Sequence, residues 1–173
     1  MRSSHNRFSR RVPTLALVVL LAAACNRGKT PEASAIVARA RQSKVPVISY
    51  DRLILNADVD YSISFDNEKV GQLQAQALVD KLEGDGKTSG SLVMINGSPT
   101  DDNAKLFKAG AHSMLDGSGF TVGAEYDTPD WSPDRAQQQM EQVITRLGKP
   151  AITGVYAAND GTAGGAIAAR GRH

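Results

Sequence analysis

The chain has 173 residues, 41% hydrophobic and 22% charged, with one cysteine; this is the composition of a globular domain and excludes a fold built on internal disulfides. Its formal charge of +2 is uneven, because residues 1–24 hold Arg2, Arg7, Arg10 and Arg11 and no acid. The remainder carries 16 basic side chains against 18 acidic ones, a balance that gives no electrostatic basis for nucleic-acid binding.

Residues 12–24 are apolar apart from Pro13 and Thr14, too short a run to span a bilayer as a helix. A basic start, a short apolar centre and small residues before a cut site predict a secretory signal over residues 1–24. Leu21-Ala22-Ala23-Ala24-Cys25 fits two processing routes. Ala22 and Ala24 suit ordinary signal peptidase. Cys25 resembles the lipidated first residue of a bacterial lipoprotein, with Ala22 where leucine is usual. Residues 25–32 then read as a tether, and the predicted location is the periplasm or cell envelope, with the lipid holding the chain to a membrane.

Ala33, Ile36, Val37 and Ala40 have helical spacing, which predicts a helix over residues 31–42 with Pro31 near its start. Strands are expected at residues 44–50 and 61–65. Asp66-Asn67-Glu68 opens a helix carrying Val70, Leu73, Ala77 and Leu78 on one face. After a turn at residues 84–90 come a buried strand (91–95), a loop (96–101) and a helix (103–115). A strand (120–126), a helix (133–147), a strand (152–157) and a helix (162–170) complete the pattern. Strands alternating with helices of this length predict an α/β fold with parallel sheet.

Ligands of such folds bind in loops after strand C-termini. Those loops carry Asp51-Arg52, Asp101-Asp102-Asn103, Asp130-Trp131 and Asn159-Asp160. Carboxylates and amide oxygens accept from the hydroxyls of a polyol, guanidinium and amide N–H groups donate to them, and an indole packs on the C–H face of a sugar ring. The competing role for each Asp and Asn is to cap the helix that follows it.

Other motifs point elsewhere only weakly. In the segment ending Gly86-Lys87-Thr88, Lys81 stands where a phosphate-binding loop requires its first glycine, and the segment precedes a strand. Asn56, Asp58 and Asp60 have half the spacing of a calcium loop, but Tyr61 replaces the turn glycine. His5, His112 and His173 are scattered and imply no metal, and no nucleophile elbow or catalytic triad is arguable. No cofactor and no enzymatic activity are expected.

The runs Tyr50-Asp51-Arg52-Leu53-Ile54 and Ile63-Ser64-Phe65-Asp66-Asn67-Glu68-Lys69-Val70-Gly71 resemble the D-xylose-binding branch of the sugar-binding subunits of bacterial ABC importers. So do Gly97-Ser98-Pro99, residues 102–110 (DNAKLFKAG), Trp131-Ser132-Pro133 and residues 158–166 (ANDGTAGGA). The resemblance covers residues 33–170. It implies the type I periplasmic-binding-protein fold, two α/β lobes closing on a monosaccharide, here an aldopentose such as D-xylose, which is then delivered to permease subunits. It implies sugar contacts from Asp51 and Arg52 in one lobe and from Asp101 and Asn103 in the other, with Lys105 nearby. Trp131 would stack on the sugar, Asn159 would contribute an amide, and Asp160 would contact the sugar or orient its loop. Lys108 stands where the family commonly has arginine. Family members begin with further βα units and continue beyond the segment matching Arg170, so the resemblance implies a fragment. Residues 33–66 would be a remnant of the first lobe, and residues 67–173 the connecting helix and an incomplete second lobe. Such a chain is expected to bind sugar weakly or not at all. The alternatives are a remnant without transport function and the ligand domain of a sugar-sensing transcription regulator, which would carry a helix-turn-helix where this chain has an export signal.

Overall fold

The computed structural model describes residues 31–172, so the predicted signal, Cys25 and most of the tether lie outside the described residues. Helix α1 (Pro31–Gln42) is followed by two short strands, β1 (Ile48–Tyr50) and β2 (Tyr61–Ile63), which pair in parallel. Five elements then alternate regularly: α2 (Asn67–Gly84), β3 (Gly90–Asn96), α3 (Asp102–Leu115), β4 (Phe120–Asp127) and α4 (Pro133–Leu147). Strand β5 (Ile152–Ala157) and helix α5 (Asp160–Arg172) complete the chain, and 3-10 turns at Pro129–Trp131 and Lys149–Ala151 lead into α4 and β5. The larger sheet has the order β4-β3-β5, all parallel, as the α/β pattern predicts.

Strand β3 is central and covered on both faces. Alternate residues of a strand point to opposite sides. Leu92 and Met94 therefore pack with α2 and α3 (Ala75, Val79, Leu82, Ala111, Leu115), and Val93 and Ile95 with α4 and α5 (Ala136, Met140, Val143, Ala166). That is why residues 92–95 read as an unbroken apolar run instead of an alternating one.

Helix ends follow local chemistry. Asp66 caps α2 by accepting from the Lys69 amide at 3.0 Å. Ser132 caps α4 at the Arg135 amide, with Pro133 at the first helical position and Gly148 just past the end. The apolar face expected of α2 is displaced, however. Leu73 and Ala77 face solvent, and Gly71, Ala75, Val79 and Leu82 are buried. The cause is helix packing. A Cβ at Gly71 would meet the Phe107 carbonyl oxygen at 2.0 Å, and one at Gly110 the Glu68 carbonyl oxygen at 2.0 Å. With no side chain at either place, α2 and α3 cross almost backbone to backbone, and α2 turns this small-residue stripe inward.

The smaller sheet is much less covered. Both of its strands are three residues long, shorter than expected: Pro46 has no N–H to give to a ladder, and the chain turns away at Asp51. Tyr50, Tyr61, Ile63 and Phe65 are exposed, Phe65 by 76%. The paired acids of the loop between the strands have other work. Asp58 bonds Arg41 at 2.9 Å, and Asp60 accepts from the Val47 amide at 2.7 Å.

Candidate ligand-binding cleft

The loop after β1 and the loop after β3 meet at their polar tips. Asp51 has φ 69°, in the left-handed region, and its amide donates to the Ile63 carbonyl at 2.8 Å. The strand therefore turns sharply, and the following Arg52 reaches toward the larger sheet. Its guanidinium lies 2.8 Å from Asp101 Oδ2. The Arg52 side chain is 41% exposed and that of Asp101 only 6%.

Asp101 makes three contacts at once. Oδ1 caps α3 by accepting from the Asn103 amide at 3.0 Å. Oδ2 accepts from the Trp131 indole Nε1 at 3.0 Å and pairs with Arg52. Capping and site-building are thus compatible here, one oxygen serving each.

Trp131 is held by backbone as well as by Asp101. Asp130 and Trp131 have φ of 62° and 56°, a conformation uncommon for residues other than glycine. The Trp131 amide donates to Thr128, and the Asp130 amide to Ser98 Oγ. The indole lies against Gly97, where a Cβ would approach its ring to 2.1 Å, and edge-on to Phe107 with centroids 6.3 Å apart. The resulting aromatic wall stands beside the Arg52–Asp101 pair.

Asn103 reaches back across the seam. Its Nδ2 donates to the Asp51 carbonyl at 3.3 Å, and its Oδ1 accepts from Asn67 Nδ2 at 3.0 Å. Asn159 caps α5, its Oδ1 accepting from the Thr162 amide at 2.8 Å, which leaves its Nδ2 for other partners. Its loop lies by the tryptophan, since a Cβ on Gly161 would sit 3.5 Å from Asn159 Oδ1 and 3.8 Å from the Trp131 carbonyl oxygen.

Arg52, Asp101, Asn103 and Trp131 therefore form one connected group, with the Asp51 backbone in it and Asn159 alongside. Lys105 does not join them; it pairs with Asp102 at 2.6 Å on the exposed side of α3. Asp160 is exposed in the first turn of α5. Lys108 is turned away to Glu125 at 2.6 Å and Asp127 at 3.3 Å. Glu125 also contacts His112 Nε2 at 3.2 Å and accepts from Asn96 Nδ2 at 2.9 Å. Burial opposes ionisation of Glu125, but the Lys108, His112 and Asn96 contacts outweigh it and hold its carboxyl below the ordinary value. Lys108 likewise loses hydration by burial, and the hydrogen bonds and charges of Glu125 and Asp127 nonetheless raise its pKa. Among the described residues no cluster of three His, Cys, Asp or Glu side chains is placed to hold a metal.

Two supporting residues have no separate signal in the sequence. Asn67 reads only as the start of a helix. Gln74 lies between the exposed Leu73 and the buried Ala75, yet it accepts from the Tyr156 hydroxyl at 2.9 Å and donates to the Ala158 carbonyl at 3.3 Å, tying α2 to the end of β5. Burial pushes the Tyr156 phenol far above its usual range, so it remains a donor to Gln74.

Loops at the C-terminal ends of two parallel sheets, meeting across a polar seam, are the arrangement of an α/β protein of the type I periplasmic-binding-protein fold. The chain belongs to the periplasmic binding protein domain family, which matches residues 22–170. It is 44% identical over 140 residues to the D-xylose-binding periplasmic protein of Escherichia coli (strain K12), covering 79% of this chain and 41% of that protein. The D-xylose-binding periplasmic protein of Haemophilus influenzae is 42% identical over 141 residues, with 79% and 40% covered. Among solved structures, an ABC transporter solute binding protein from Clostridium phytofermentans with bound β-D-glucose superposes with a TM-score of 0.72 at 32% identity, over 80% of this chain and 47% of that one. The chain thus spans about 40% of the length of the curated relatives it matches.

Proposed function

We propose that this chain forms part of the sugar-binding component of an ABC-type importer, that its ligand is a monosaccharide of the D-xylose type, and that its partners are the permease subunits receiving that sugar. The observation that carries this reading is the convergence of Arg52, Asp101, Asn103 and Trp131 from loops of two different sheets. A sugar hydroxyl both donates and accepts, so it can replace the direct Arg52–Asp101 contact, accepting from the guanidinium and donating to the carboxylate. The ring then rests against the Trp131 indole, whose orientation Asp101 already sets. Asp51 and Asn159 Nδ2 complete the contacts from either side, and Lys105 and Asp160 would contribute only by leaving the exposed positions they hold here. This is recognition without chemistry on the ligand: the groups are acceptors, donors and one apolar face. The curated relatives named for D-xylose support the choice of pentose.

With Arg52 partly open to solvent, binding by the chain itself is expected to be weak. Ligand-detected NMR with D-xylose, read together with the fluorescence of Trp131, the chain's single tryptophan, tests this. Arg52→Ala and Trp131→Ala are expected to weaken binding about tenfold, and Lys87→Ala, in an exposed turn, to leave it unchanged. Equal affinities for all three variants would refute the assignment. The predicted lipid on Cys25 belongs to the same reading. Mass spectrometry of the membrane-extracted protein is expected to find a mature chain starting at a lipidated Cys25, and an unmodified chain retaining Met1 would remove the anchor from the proposal.

A further inference from the structure

We infer that Asn67 is a positioning residue that, together with the Asp51 carbonyl, fixes Asn103 as a hydrogen-bond donor toward the cleft, and so helps decide which atoms of a bound sugar the cleft accepts. The inference rests on the sugar-binding reading above and deepens it.

The argument is one of forced assignments. A carboxamide has a donor end and an acceptor end that are nearly the same shape, so its orientation follows from its neighbours. The Asp51 carbonyl can only accept, so the end of Asn103 facing it must be Nδ2, and the two lie 3.3 Å apart. The other end of Asn103 is therefore Oδ1, which can only accept. Its neighbour is Asn67, 3.0 Å away, which must present Nδ2. The second hydrogen of Asn67 Nδ2 is directed at Ser64 Oγ, 3.2 Å away, a group able to accept it. Each amide in the series has one orientation that satisfies every partner.

Asn67 can do this because of how it is held. It is 6% exposed, on the first turn of α2, beside the Asp66 cap. The close crossing of α2 and α3 at Gly71 and Gly110 brings the two helix starts together. Asn103 is thus locked at its oxygen, and its amino group is the end presented at the Asp51–Arg52 side of the seam. A sugar oxygen at that place is met as an acceptor.

Two measurements test this. The first needs no sugar. In NMR spectra of the unliganded chain, Asn67→Leu, which keeps the branched skeleton of the side chain and removes both N–H groups, is expected to shift the Asn103 side-chain amide resonances and speed their exchange with water, while the backbone resonances of β3 and β5 stay in place. Asn67→Gln, which keeps a donor, is expected to restore part of the protection. An Asn103 amide unchanged in Asn67→Leu would overturn the inference whatever the chain binds. The second measurement compares D-xylose with its monodeoxyfluoro analogues, in which fluorine retains a weak acceptor and loses the donor. At the hydroxyl met by Asn103 the fluoro analogue is expected to lose less than about threefold in affinity to the native chain. It is expected to lose about tenfold or more to Asn67→Asp, whose carboxylate competes with the Asp51 carbonyl for the amino group of Asn103 and, where it wins, leaves the amide oxygen facing the sugar. The same fluoro profile in both proteins would also overturn it. A native chain that binds no sugar would refute the sugar reading alone, and the Asn103 amide would still decide the role of Asn67.

Discussion

Asp101 and Arg52 lie 2.8 Å apart across the seam between the smaller and larger sheets, and the same Asp101 oxygen accepts from the Trp131 indole. One carboxylate therefore joins three segments that are remote in sequence: the loop after β1, the start of α3 and the turn before α4. Asp101→Asn preserves an oxygen for the α3 cap and removes the charge that faces Arg52. The new amide nitrogen faces the Trp131 N–H, so the lost indole bond costs about 1–3 kcal/mol; the ion pair, half open to water at Arg52, adds only about 1 kcal/mol, and that part shrinks with added salt. Urea unfolding of both proteins at low and high ionic strength measures this; a salt-independent difference would mean that the ion pair is not the cause.

Gly97 is expected to be intolerant of any side chain. The Cβ of alanine would enter the Trp131 ring at 2.1 Å, and the indole, fixed by left-handed backbone at Asp130 and Trp131, has little room to retreat. Gly97→Ala should destabilise the chain by about 1–3 kcal/mol and shift the tryptophan emission as the ring moves off Asp101. Gly164→Ala, within α5 and with nothing near its Cβ, is the control and should stabilise by up to about 1 kcal/mol. A Gly97→Ala protein with native emission and stability would contradict this packing.

The Glu125 cluster predicts an acid-sensitive contribution to stability. Its folded-state pKa lies below the ordinary 4.5, so the unfolded chain takes up the proton first. The stabilisation is complete above pH 4.5 and is lost as pH falls from there through the folded value. Glu125→Gln should flatten this part of the profile, measured as denaturation midpoints from neutral pH down to about pH 3. For Lys108 the sign is opposite: a raised pKa stabilises fully below 10.5 and the effect disappears as pH rises through the folded value. An acid limb of the same slope in Glu125→Gln would place the sensitivity elsewhere.

Hydrogen exchange should divide the two sheets. Strand β3 is paired on both sides and buried from Leu92 to Asn96, and β5 alternates buried and half-buried residues against it. Their amides should exchange slowest. Those of residues 45–49 and of β2, whose three residues are all exposed, should exchange orders of magnitude faster, since local opening there uncovers little apolar surface. Equal protection in β2 and β3 would show that the smaller sheet is stabilised by contacts other than those described.

Much of this architecture is local and was legible in the residues. Helices 31–42 and 133–147 and strand 152–157 fall where the spacing and punctuation put them, because Pro at a helix start, Ser at a cap and Gly past an end act on their own few residues. The residues that meet at the seam were legible only as types, acids, amides, an arginine and one tryptophan after strand ends. Three things depended on the tertiary fold. The buried face of α2 was set by a glycine crossing, not by its larger apolar residues, because close backbone approach needs an absent side chain on both helices at once. The division of labour at Asp101 depends on which distant groups arrive within about 3 Å, here Arg52 and Trp131. The role of Asn67 was invisible for the same reason: a carboxamide takes its meaning from its partners, and periodicity along the chain cannot name a partner on another helix.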